Sequence, residues 1–142
     1  MQSVITVERP LDEVFEFAAD LDSLPLWLEG CKKAWSPDGD GRSIGSEILH
    51  EDEFMGRSFE ARFEVVEWEH NRRMVFKAVS GPFRGLSEED FYDESGDTRV
   101  EIRVSGEPAG FLKALGFMAK RQGQAQLERS LDNLKRVLEA HA

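Results

Sequence analysis

The chain has 142 residues, 40% of them hydrophobic, with 18 basic and 28 acidic side chains and a formal net charge of −10. That length fits one domain, residues 1–142, able to bury roughly two-thirds of its unfolded surface without disulfide or metal staples. The excess of acid repels nucleic-acid backbones and anionic membranes, and the Arg72-Arg73 and Lys32-Lys33 pairs are too isolated to make a basic patch.

Val4 to Glu8 reads as a first strand, with Ile5 and Val7 on one face. Pro10 suits the first position of a helix, and Asp12 and Glu13 suit its first turn. Leu11, Val14, Phe15 and Ala18 give that helix one apolar stripe. A second short helix, Leu24 to Leu28, stops at Gly30.

Sheet-type segments follow. Cys31 to Trp35 is closed by the turn cluster Pro37 to Gly41, and Ile44 to Phe54 by Met55-Gly56-Arg57. Ser58 to Trp68 alternates cleanly until Val65 and Val66, where the parity slip predicts a bulge. Met74 to Val79, Phe83 to Tyr92 and Thr98 to Val104 complete the set, separated by Ser80-Gly81-Pro82 and Gly96-Asp97.

The C-terminal part is helical, with Leu127, Leu131, Leu134 and Leu138 on one face. Phe111, Leu115 and Met118 share a face nearly opposite to it, so a bend is expected near Gly116 and Gly123. One long helix after an antiparallel sheet must lie on that sheet. Fixed at its C-terminal half, it leaves a cavity, with the 111–118 segment expected over the mouth.

This order of pieces resembles the START-like superfamily of helix-grip proteins. The nearest group is the polyketide cyclase/dehydrase and lipid-transport family. The resemblance rests on Val7 to Phe15, Asp20 with Trp27, Gly41 to Gly45, Gly56 to Trp68, Gly96 to Val100, and Leu131 through Glu139. It implies an α+β fold: a curved seven-stranded antiparallel sheet around a long C-terminal helix, with two short helices after the first strand and a hydrophobic cavity between. It also implies a small hydrophobic ligand such as a lipid, a polyketide or an aromatic compound. Members include carriers, cyclases and partner-binding modules, and no universal catalytic residue carries over.

Strand parity puts Phe59, Ala61, Phe63, Phe76, Ala78, Val100 and Ile102 on the face toward the helix, met by Phe111, Leu115 and Met118. Ten phenylalanines against one tyrosine suit an oily wall, and Ala61 and Ala78 between them leave room. In Glu88-Glu89-Asp90, acids sit inside a strand and must appear on both faces. Glu89 shares parity with Phe91 and is the one expected inside, as ligand anchor or weak catalytic candidate for a cyclase or dehydratase reaction. Trp27 and Trp35 are candidates for the cavity floor.

His50 and Asp52 share a strand face, but no third ligand stands at a recognisable spacing, so neither metal nor cofactor is expected. His70 and His141 invite no role, Cys31 reads as inert, and neither a hydrolase elbow nor a phosphate loop is present. Cys31 is the only cysteine, which excludes an intrachain disulfide. No secretory signal or bilayer-spanning apolar run is visible, so the cytoplasm is the default location, as monomer or homodimer.

Overall fold

A computed structural model describes residues 1–140. His141 lies outside the described residues. Seven strands form one antiparallel sheet in the order β1-β7-β6-β5-β4-β3-β2. In chain order they are β1 Gln2–Val7, β2 Cys31–Trp35, β3 Glu47–Phe54, β4 Arg57–Glu69, β5 Arg73–Ser80, β6 Phe83–Glu94 and β7 Asp97–Pro108. After β1 come helix α1, Leu11–Ala19, a 3-10 turn at Leu21–Ser23 and the single-turn helix α2, Leu24–Trp27. A 3-10 segment, Gly110–Leu115, leads into the long helix α3, Gly116–Ala140.

The sequence explains these elements locally. Pro10 stands at the N-cap of α1, one residue before the first helical position expected for it, its carbonyl accepting from the Glu13 and Val14 N–H groups, with Asp12 and Glu13 in the first turn. Met55-Gly56 and Ser95-Gly96 close two hairpins with backbones of positive φ at all four residues, the geometry that tight hairpins require. The expected bulge is present, as the β4–β5 register slips between Val65 and Glu67. The third strand starts later than predicted, at Glu47, because Ser46 donates its N–H to the Ser43 carbonyl in a turn that leaves Ile44 exposed.

Helix α3 buries Leu127, Leu131, Leu134 and Leu138 in the main core, packed against the sheet and α2. It lies along edge strand β1 and is tied to it by side chains. Gln124 accepts from the Gln2 N–H and donates to the Gln2 carbonyl, while Lys135 reaches the Thr6 carbonyl at 2.9 Å. The helix thus covers an edge that would otherwise invite strand pairing.

The break before α3 falls at Gly116, whose φ of 38° only glycine adopts readily. Gly123, also expected at a bend, instead continues the helix, and it is buried where a side chain would collide with Met1 and Phe83. Glycine there serves close approach, not flexibility.

Candidate functional site

Between the concave face of the sheet and helices α1, α2 and α3 lies a cavity of about 220 Å³. Its wall is mainly apolar. Phe63, Phe76, Ala78 and Ile102 come from the sheet, Ala18, Leu24 and Trp27 from the small helices, and Leu127 from α3. Antiparallel pairing explains why these strand residues converge. Phe63 stands opposite Ala78 and Ile48, and Ile102 stands opposite Glu89; directly opposed residues share a face.

Glu89 is the acidic residue that this register sends inward from the middle of β6. Its neighbours Glu88 and Asp90 emerge on the outer face, where Arg73 binds both, at 2.7 and 2.8 Å, together with Glu67 at 2.6 Å. Glu89 has none of this. Burial, and then the nearby negative charge of Asp90, push its carboxyl up to about 8. At neutral pH it is a protonated acid lining an apolar cavity, able to donate a hydrogen bond. Trp27 adds a second polar handle, a buried indole Nε1 with no partner among the described residues.

Five predicted wall residues, Phe63, Phe76, Ala78, Glu89 and Ile102, line the cavity together. Phe59, Ala61, Phe91 and Val100 share the concave face but lie off the wall. Phe91 packs edge-on against Phe15 at 5.0 Å, Val100 is fully buried in the main core, and Phe59 stacks with Phe111 at 6.4 Å. Ala61 is buried close under Gly81.

Trp35 requires a correction. The β2–β3 register slips between Cys31 and Lys33, so Cys31 and Ala34 face inward and Trp35 faces out, with the Lys33 ammonium 5.1 Å from its ring. Without that bulge Cys31, Lys33 and Trp35 would have shared a face. Trp27 does reach the cavity.

Phe111, Leu115 and Met118 also require one. All three are substantially exposed, and the residues that face inward are Leu112 and, just past the segment, Ala119, fully buried against Phe54, Phe83 and Phe59. The segment backs the cavity wall at Phe54 and Phe83 and does not line the cavity itself. Its 3-10 winding and the break at Gly116 rotate the apolar stripe away from the direction an ideal α-helix gives it. The cavity's edge instead adjoins a polar surface depression at Glu29, Gly30, Glu53, Phe54 and Gln126, residues common to both.

Sequence spacing missed one grouping. Cys31 stands directly opposite Asp52, and both face inward with His50. His50 and Asp52 also line the cavity. The imidazole Nδ1 lies 3.4 Å from Asp52 Oδ1, its ring tilted against Phe63 at 4.6 Å. Burial, then Asp52, push the Cys31 thiol up to about 12. Only the cross-strand register reveals that a cysteine nineteen positions away in sequence joins the pair.

Among the described residues no helix is long and apolar enough to cross a membrane. No curated protein matches the chain. Its fold is shared by TTHA0849 from Thermus thermophilus, at 23% identity and a TM-score of 0.81 over 100% of this chain and 99% of that one. It is also shared by a START superfamily protein from Mycobacterium smegmatis, at 17% identity and a TM-score of 0.78 over 100% and 98%. A polyketide-cyclase-like protein from Corynebacterium glutamicum follows at 18% identity and a TM-score of 0.60, over 99% and 91%. The family model described as polyketide cyclase / dehydrase and lipid transport matches residues 1–139, and the chain belongs to that family.

Proposed function

We propose that the protein binds a small hydrophobic molecule carrying one hydrogen-bond acceptor, holds it between sheet and helix, and acts as a carrier in the cytoplasm. The observation that carries this reading is the pairing of a mainly apolar wall with an inward acid from the middle of the sheet, Glu89, which burial holds protonated near neutral pH. A neutral carboxyl in an apolar cavity donates a hydrogen bond to a carbonyl or ether oxygen, fixing orientation while the wall supplies affinity.

Volume narrows the ligand class. A cavity of about 150 Å³ accepts benzene, so one of about 220 Å³ suits on the order of ten non-hydrogen atoms by the same scaling. That favours a compact aromatic compound over a long acyl chain. Membership of a lipid-transport and cyclase family supports a hydrophobic ligand without naming it.

A second reading has a specific observation behind it. A carboxyl raised to about 8 is poised to exchange a proton near neutral pH, as a cyclase or dehydratase needs. Titration with 2-naphthol, followed by quenching of Trp27 and Trp68 at the cavity wall, tests binding. One saturable site is expected; no saturable quenching overturns the proposal. Native mass spectrometry of protein purified from its own host identifies the resident compound. Glu89→Gln separates the readings: turnover that collapses while binding persists favours the enzyme, and binding with no turnover in either form favours the carrier.

A further inference from the structure

We propose that Cys31, His50 and Asp52 form a Zn²⁺ site whose open coordination position faces the cavity.

The three side chains offer a thiol, an imidazole and a carboxylate, and their donor atoms all lie within 4.8 Å of one another. Zinc is bound by these donor types at bond lengths of about 2.0 to 2.3 Å, so the edges of its tetrahedron run to about 3.3–3.6 Å. His50 Nδ1 and Asp52 Oδ1 already stand 3.4 Å apart. Bringing Sγ to the same spacing takes a side-chain shift of about 1 Å. Backbone geometry supports the convergence, because the bulge after Cys31 falls at its pairing with Asp52, and bulges commonly re-aim side chains beside functional sites.

The polar accounting points to a ligand here. His50 Nδ1 and Asp52 Oδ1 are both buried and have no hydrogen-bond partner among the described residues. The His50 side chain is 8% exposed. The two atoms stand 3.4 Å apart and form an ion pair only when the imidazole is protonated; with a neutral imidazole, a cation between them removes the cost of two buried polar atoms without hydrogen bonds. A divalent cation satisfies both. It also balances charge: with the thiol proton released to solvent, thiolate and carboxylate cancel the two positive charges of zinc. That neutral set suits an interior position, where an isolated charge is expensive.

The position is open on one side. Three protein ligands leave the fourth tetrahedral corner for water or a ligand atom, as in catalytic and not structural zinc sites. His50 and Asp52 line the cavity that Glu89 also lines, so that corner opens toward a bound molecule. The zinc site stands whether or not the carrier reading holds, since zinc alone is the probe.

Metal-stripped protein titrated with Zn²⁺ by calorimetry is expected to bind one equivalent. Co²⁺ is expected to give a thiolate charge-transfer band with the intense visible absorption of tetrahedral coordination. Cys31→Ser removes the charge-transfer band, and His50→Gln and Asp52→Asn each weaken zinc at least tenfold. Circular dichroism and urea midpoints establish that each variant is folded. Absence of stoichiometric zinc binding by the wild-type protein overturns the proposal without recourse to variants. Binding of equal strength in all three variants overturns it as well, placing the metal on the acidic surface.

Discussion

Glu88 and Glu89 are consecutive residues of β6 whose carboxyls lie on opposite faces of the sheet, one 2.7 Å from Arg73 and the other at the wall of the cavity. One residue of parity therefore separates a fixed surface anion from a neutral interior acid. This follows from the two-residue period of the strand and needs no special loop.

That contrast makes stability depend on pH. Glu89 is raised in the folded protein from the ordinary 4.5 to about 8. Between those values the unfolded chain has released a proton that the folded chain still holds. Stability therefore falls as pH rises, by at most about 1.4 kcal/mol per unit. The penalty is absent below the ordinary carboxylate range and stops growing above about 8. Glu89→Gln removes it. Urea denaturation should show the variant gaining on wild type from pH 4 to pH 8.5, by on the order of 2–4 kcal/mol in total. A gap that does not change with pH would show the carboxyl ionising normally.

Arg73 is predicted to act on stability and not on binding. It holds Glu67, Glu88 and Asp90 on the outer face. Arg73→Met leaves three carboxylates facing one another and is expected to cost about 1–3 kcal/mol at low salt. The group is partly solvated, so 1 M salt, with a Debye length of about 3 Å, should recover much of that loss. Urea midpoints at both salt concentrations check this, with 2-naphthol affinity unchanged.

Much of this arrangement was legible in the sequence because period-two alternation is a local property. Phe63, Phe76, Ala78, Glu89 and Ile102 reach one cavity because each alternates from a strand whose parity was readable. Trp35 was not legible, because the bulge after Cys31 flips every later side chain of its strand and leaves no compositional mark. Phe111, Leu115 and Met118 formed a persuasive stripe on an ideal helix, but the chain there winds as 3-10 and breaks at Gly116. The grouping of Cys31 with His50 and Asp52 depends on pairing between strands, which spacing along one strand cannot show.

Two alanines on the same face of the sheet should respond differently to enlargement. Ala78 lines the cavity, whereas Ala61 is 1% exposed and packed beneath Gly81, where even a single added carbon would lie 2.9 Å from its Cβ. Ala78→Phe is expected to fill the void, weakening 2-naphthol more than tenfold while changing stability by less than about 1 kcal/mol. Ala61→Phe has no void to enter and should cost about 1–3 kcal/mol. Paired naphthol titrations and urea melts distinguish them. Equal loss of stability in both would mean that the space beside Ala78 closes in solution.

Gly123 sets two effects against each other. Replacing glycine by alanine inside a helix ordinarily stabilises by about 1 kcal/mol. Here the new Cβ would stand 2.6 Å from Met1 Sδ and 3.0 Å from the Phe83 ring. The methionine tip can swing aside. The ring is held by edge-to-face contact with Phe54 at 5.3 Å, and Phe54 is in turn backed by Leu112 and Ala119. Displacing it costs about 1–3 kcal/mol, as overpacking does, so overpacking outweighs helix propensity. Gly123→Ala should therefore lower stability by about 1 kcal/mol where propensity alone would raise it. Because Gly123, Phe83 and Phe54 all line the cavity, the same change should weaken 2-naphthol. A variant more stable than wild type with unchanged affinity would show that Phe83 is free to move, and that α3 does not constrain this end of the cavity.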